Sequence, residues 1–317
     1  DLPFPLDTQN DLGWGSGGGA KLTWQPDPTG WNLSAAIRYG RAHGATQRHS
    51  KQALDQICIS AYGLDVCDDP SSGNIYLNGH LYHSAGNKYN YTDTRARNEE
   101  GHTIVDFEVG KDVGLGVVSS RLTSHLDAGL RYADLKSSSA AVLHGRPDLY
   151  LNLLYLKYPP HFHKFGADIV AQRKFEGVGP VVNFDTDLRL FGAPDAAGQV
   201  DLELGLGGGV LFGRQTAHVR GRQYGAYRSG FLTVNIDAFD LSPPYNDAID
   251  LSRSKNVSVP TVNANLGLSY TLGGVKVSGG YRMERYYKVI DGGYMERKAY
   301  DRNVDGVYAK VSIGFGG

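Results

Sequence analysis

The chain is short of sulfur and short of helical pattern. It holds two cysteines, two methionines and three tryptophans in 317 residues. Two cysteines are too few for a disulfide-dense secreted scaffold or a four-thiolate zinc cluster. No run approaches the roughly 18 consecutive apolar residues that a membrane helix needs. Formal net charge is −1, so no basic field marks a nucleic-acid partner. Mean hydropathy is −0.34, a value ordinary for water-soluble chains. Helical periodicity is nearly missing as well. The stretch 50–64, SKQALDQICISAYGL, has room for two or three turns, but it lies inside a long polar segment and reads as loop decoration. No Met and no signal-peptide pattern stand at Asp1, so the chain reads as a processed product.

What is present is glycine, tyrosine and alternation. Glycine contributes 42 residues and tyrosine 20; glycine's usual share is about 7 %. Apolar and polar residues alternate with period two along nine stretches, the mark of strands with two unlike faces. They are 18–25, 31–41, 103–113, 121–134, 181–191, 199–214, 257–272, 275–289 and 305–315. FLTVNIDAF, 231–239, alternates too and is a candidate further strand. Short turns (26–30, 114–120, 192–198, 271–275) take turns with long polar segments (45–101, about 137–177, 222–256, 291–304). This rhythm predicts an all-β, antiparallel up-and-down transmembrane β-barrel, with tight periplasmic turns and large extracellular loops at 45–101 and 222–256. The expected strand number is about 8–12, with ten as the middle value, since bacterial barrels favour even counts. No linker divides the chain, so residues 1–317 read as one domain.

The faces then acquire candidate roles. In a barrel of this kind the charged face lines the lumen, and the apolar face meets lipid. The expected lumen acids are Asp106, Glu108, Asp127, Asp185, Asp187, Asp201, Glu203 and Glu284. The expected lumen bases are Lys21, Arg38, Arg131, Arg189, Lys276, Arg282 and Lys310. Eight acids against seven bases is near balance, as an interior that cannot tolerate unpaired charge requires. The acids gather on the middle strands and the bases on the first and last, which sets a transverse field. In a narrow barrel these residues would form a salt-bridged plug; in a wider one they would face water and set ion preference. Rings at the strand ends are an expected interfacial belt: Trp24, Trp31, Tyr39, Tyr132, Phe191, Tyr270, Tyr281 and Phe315. Cys58 and Cys67, close in sequence and without a histidine partner, are expected to form one disulfide closing a small loop.

Several segments taken together resemble a known family. They are GWNLSAAIRYGRAHG, VDFEVGKDVGLG with SSRLTSHLDAGLRYADL, FEGVGPVVNFDTDLRLFG, GVLFGR and the closing DGVYAKVSIGFGG. In this order they are similar to the pore-forming major outer membrane proteins of Gram-negative bacteria. The resemblance touches most strands and none of the long loops. It implies an outer-membrane barrel that forms a pore, with no enzymatic activity and no cofactor. One departure stands out. Such barrels usually end on an aromatic residue, whereas Phe315 is followed by Gly316 and Gly317.

Other signals are weak. His161 with His163, and His80 with His83, lack an assignable third metal ligand. GLGGG, 205–209, is followed by no Lys-Ser/Thr and opens no helix, so it is not a phosphate loop. Asp185 and Asp187 share a face without any cleft signal for acid–base work. The acidic turn CDDPSSGN, 67–74, reads as a plain turn rather than a calcium site. The leading expectation is a porin-like channel for small solutes or ions, embedded in outer-membrane lipid. Two rivals remain open. One is a closed structural barrel whose loops bind a partner protein, a surface layer or another copy. The other is a soluble secreted β-sandwich, with the apolar faces buried on one another.

Overall fold

A computed structural model describes residues 15–25, 30–52, 57–61, 64–69, 74–77, 79–84, 91–114, 121–146, 161–192, 198–228, 245–272, 275–293 and 296–313. All its regular structure is strand. In chain order these are β1 (Gly15–Trp24), β2 (Trp31–His43), β3 (Gln47–Gln52), β4 (Ile57–Ala61), β5 (Leu64–Asp69), β6 (Asn74–Leu77), β7 (His80–Ser84), β8 (Tyr91–Asp112), β9 (Leu122–Arg146), β10 (His161–Phe191), β11 (Gln199–Arg228), β12 (Tyr245–Leu272), β13 (Val275–Asp291) and β14 (Ala299–Ile313). Ten of them form one sheet, in the order β1-β2-β8-β9-β10-β11-β12-β13-β14, with β3 also on β8. β3 continues the line of β2 along the same neighbour, so nine strands stand side by side. Every neighbouring pair is antiparallel. β4 to β7 make a separate four-stranded sheet.

The sheet is curled, and it is inside out relative to a water-soluble protein. On the apolar rows Phe107, Leu206 and Val311 are 62 %, 64 % and 65 % exposed, while Arg131 and Glu284 on the polar rows are 1 % and 2 % exposed. A β-sandwich would show the reverse, so the soluble rival falls. Ion pairs confirm the curl. Arg38, on the second strand of the path, bonds Glu284, on the second strand from its other end. Arg302 on β14 reaches Glu100 on β8 at 2.6 Å. The fold is an antiparallel up-and-down β-barrel, although β1 and β14 form no ladder with each other among the described residues.

Glycine on the polar rows makes room inside a narrow wall. A Cβ on Gly110 would land on the Asp127 carboxylate, and one on Gly207 would land on the Asn183 side chain.

All nine expected strands are present, but the expectation truncated them. A lipid-crossing strand needs about 9–11 residues, whereas β10 has 31 and β11 has 30. Stretches read as long loops, within 45–101, 137–177, 222–256 and 291–304, are partly strand, because the pattern changes phase along each ribbon. On β10, Val178, Val182 and Phe184 point outward and Asn183, Asp185 and Asp187 inward; higher up, Asp168, Gln172 and Lys174 point outward and Ile169, Ala171 and Phe175 inward. β11 changes the same way between Leu211, which is buried, and Arg214. β9 changes just above Tyr132, where Asp134 and Lys136 take the outward row. The level of the change is where the outer solvent turns from hydrocarbon to water. The lower half is therefore membrane wall and the upper half stands in water, with soluble-protein polarity.

Candidate functional site: the enclosed lumen

All eight expected acids and all seven expected bases lie on the enclosed rows. Toward the short-turn end, Lys276 on β13 reaches Asp187 on β10 at 2.9 Å and Glu203 on β11 at 2.7 Å. The Ser278 hydroxyl donates to Glu203 at 3.0 Å. Lys21 stands 3.7 Å from Glu108, which also accepts from the Asn183 amide. Asn263 Nδ2 donates to Asn183 Oδ1 at 3.1 Å. Asp201 accepts from Gln199 Nε2 at 2.8 Å. Asp127 is buried over Gly110.

Above this lies the tightest ionic group. Asp106 takes Arg131 Nε at 2.6 Å and Arg38 Nη2 at 2.8 Å. Glu284 takes Arg38 and, at 2.6 Å, Arg282 Nη2, and it accepts the Tyr286 hydroxyl at 2.9 Å. The segregation of charge has a use in part: Lys276 on β13 meets acids on β10 and β11, while Arg38 on β2 bonds Asp106 on neighbouring β8 and Glu284 on β13. A buried charge without a partner costs several kcal/mol, roughly, so an enclosed face must pair its charges in this way.

A dry layer sits above the ionic group. Ile104, Leu135, Phe175, Leu211, Val259, Tyr286, Val289 and Ile290 are all buried and packed together. The sequence reading missed this layer, along with Glu100, Gln215, Arg253, Asp291 and Arg302. The phase change on β9, β10 and β11 is the signal that finds it. β13 also leaves its ladder here. Its register with β14 holds to Tyr286↔Arg302 and then shifts, resuming at Ile290↔Tyr300. Lys288 between them has φ 53°, a left-handed conformation that is strained for a side chain with a Cβ. The Asp301 carboxylate braces it, accepting the Lys288 N–H at 2.8 Å and Arg285 Nη2 at 2.7 Å. Arg285 first, then that N–H, hold the Asp301 carboxyl below the usual range. The stability the brace contributes is therefore full above the ordinary aspartate range and is lost as the pH falls through the lowered folded value.

Outside, the expected belt resolves into two girdles. Trp24, Trp31, Phe191 and Tyr270 mark the short-turn ends of the apolar rows, and Tyr39, Tyr132 and Tyr281 the opposite ends. Tyr132 donates to Glu176 at 2.7 Å and Tyr281 to Asp305, so each ring has an apolar body and a wet tip. Phe315, residues 231–239 and the side chains of His80, His83, His161 and His163 lie outside the described residues. So do the side chains of Cys58 and Cys67, whose backbones stand directly opposite each other on β4 and β5.

An apolar exterior bounded by two aromatic girdles, around an enclosed and paired charge network, defines a β-barrel of the outer membrane. Residues 28–315 match the family model described as Legionella pneumophila major outer membrane protein precursor. The chain belongs to that family, and its place is the bacterial outer membrane. No curated protein matches it significantly.

Proposed function

We propose that the barrel is a narrow channel for small solutes or ions. The observation that supports this reading is the wetness of part of the charged face. The side chains of Arg282 and Asp187 each keep 38 % of their surface although they point inward. A lumen built only as a salt-bridged filling would dry these charges. The dry layer around Phe175 and Leu211 favours a second reading, a closed anchor for the long extracellular segments. Planar-bilayer recording decides between them. The channel reading expects discrete conductance steps from the purified, folded chain; a folded chain that stays silent leaves only the anchor. Lipid is the partner we infer for the apolar rows.

The opposed positions of Cys58 and Cys67 support a cross-strand disulfide. The expected result is that unfolded protein takes up no maleimide until a reductant is added. Labelling of both thiols without reductant would remove the bridge.

A further inference from the structure

We propose that the hairpin tip where β13 turns into β14, described at 287–293 and 296–298, is a strap that closes the lumen from within and opens the channel by leaving it. This inference rests on the channel reading above. On a regular β13, Val289 would continue the outward row of Tyr281, Met283 and Arg285. The left-handed residue Lys288 and the register shift beside it turn the chain instead. Val289 and Ile290 are then buried in one apolar cluster with Phe175 of β10 and Leu211 of β11.

The strap is tied by few groups. Gln215 Nε2 on β11 donates to the Lys288 carbonyl at 2.6 Å, and Arg297 Nη2 donates back to Gln215 Oε1 at 2.8 Å. Arg253 on β12 holds Asp291 at 3.2 Å and the Gly293 carbonyl at 2.6 Å. Asp291 also accepts the N–H groups of Gly293 and Lys298, so it shapes the strap as well as anchoring it.

A barrel of about eight strands is narrow enough for its own side chains to fill. Nine strands abreast enclose more, and here Val289 and Ile290 of the hairpin tip complete the filling begun by wall side chains. Both ends of that tip stay in the wall, on β13 and β14. It can therefore swing out as a hairpin, carrying the Ile290↔Tyr300 and Asp291↔Ala299 pairs with it, with the loss of side-chain ties and of the packing of Val289 and Ile290, while every ladder below Tyr286 stays intact. A filling made only of side chains from the fixed wall has no such route.

Bilayer recording of two variants tests the strap, each shown to be folded by its heat-modifiable migration on a gel. In the first, a short glycine-containing turn replaces 288–298. In the second, Leu211→Cys and Ile290→Cys, which share the dry layer, are introduced with Cys58→Ser and Cys67→Ser. The strap reading expects the shortened variant to raise the open fraction by about tenfold or more, as loss of the closing element in a two-state equilibrium requires. It expects the cysteine pair to conduct when reduced and fall silent when oxidised. A cross-linked pair that conducts like its reduced form, or a shortened variant that opens no more than the wild type, overturns the strap and leaves the channel standing. Silence from wild type, shortened and reduced proteins alike overturns the channel reading and the strap with it.

Discussion

Leu206→Arg is expected to destabilise the folded barrel in lipid vesicles by about 2–4 kcal/mol, the range for a base at the mid-depth of a lipid-facing strand. Leu206 is 64 % exposed and stands in register between Phe184 of β10 and Ala264 of β12. In hydrocarbon an arginine there must drag water or headgroups to its guanidinium. In water it would be an ordinary surface residue. Depth makes the test specific. At Leu272, near the short-turn end of β12, the same change is expected to cost about 0–1 kcal/mol, because the side chain reaches the interface. At Ser252, on the outward row of β12 above the phase change, it is expected to shift stability by no more than about 0.5 kcal/mol. Denaturant titration of the three variants, refolded into the same vesicles, measures the gradient. Equal effects at Leu206 and Ser252 would mean that the two positions see the same solvent, and the placement of the bilayer would be lost.

The lower half of this barrel was legible because lipid and lumen are as unlike as two solvents can be. Val200, Leu202, Leu204 and Leu206 against Asp201, Glu203, Gly205 and Gly207 fix the phase of β11 with no structure at hand. From β11's Leu211 upward the outer solvent is water, and the inner face turns apolar to fill the lumen. A pattern read across that level averages to nothing, so Ala217 and Val219, inward and buried, fall between the expected strand 199–214 and the expected loop 222–256 and belong to neither. The charges were legible as a set but not as partners. Nothing local to Arg38 and Glu284 says that strands at opposite ends of the path meet, since that follows from the curvature of the whole sheet. The strap was hidden for another reason. Its turn depends on Lys288 adopting φ 53°, a conformation that glycine, asparagine or aspartate would advertise and lysine does not.

The same curvature makes Glu284 a residue whose loss the wall absorbs poorly. Glu284→Ala is expected to cost about 3–5 kcal/mol, the usual consequence of removing one partner of a buried ion group. Its carboxylate is 2 % exposed and is shared by Arg38 and Arg282, with the Tyr286 hydroxyl as a third donor. Without it, Asp106 alone faces Arg38 and Arg131, and Arg282 keeps no carboxylate among the contacts described. Asp187→Ala is a fair contrast. Lys276 retains Glu203 at 2.7 Å, and the Asp187 side chain is 38 % exposed, so solvent screens the loss to about 1 kcal/mol or less. Replacing both charges, with Arg38→Leu and Glu284→Leu together, removes the Arg38 orphan with the pair and leaves Arg282, 38 % exposed, to solvent. The double variant is expected to recover much of the single variant's deficit, because an apolar filling of similar volume often substitutes for a buried ion pair at little cost. Arg38→Leu alone and Glu284→Leu alone complete the double-mutant cycle. A coupling of at least about 1 kcal/mol is expected for residues in direct contact. Strict additivity would show that Arg38 and Glu284 do not share one lumen, and with that the closure of the wall around its charges would fail.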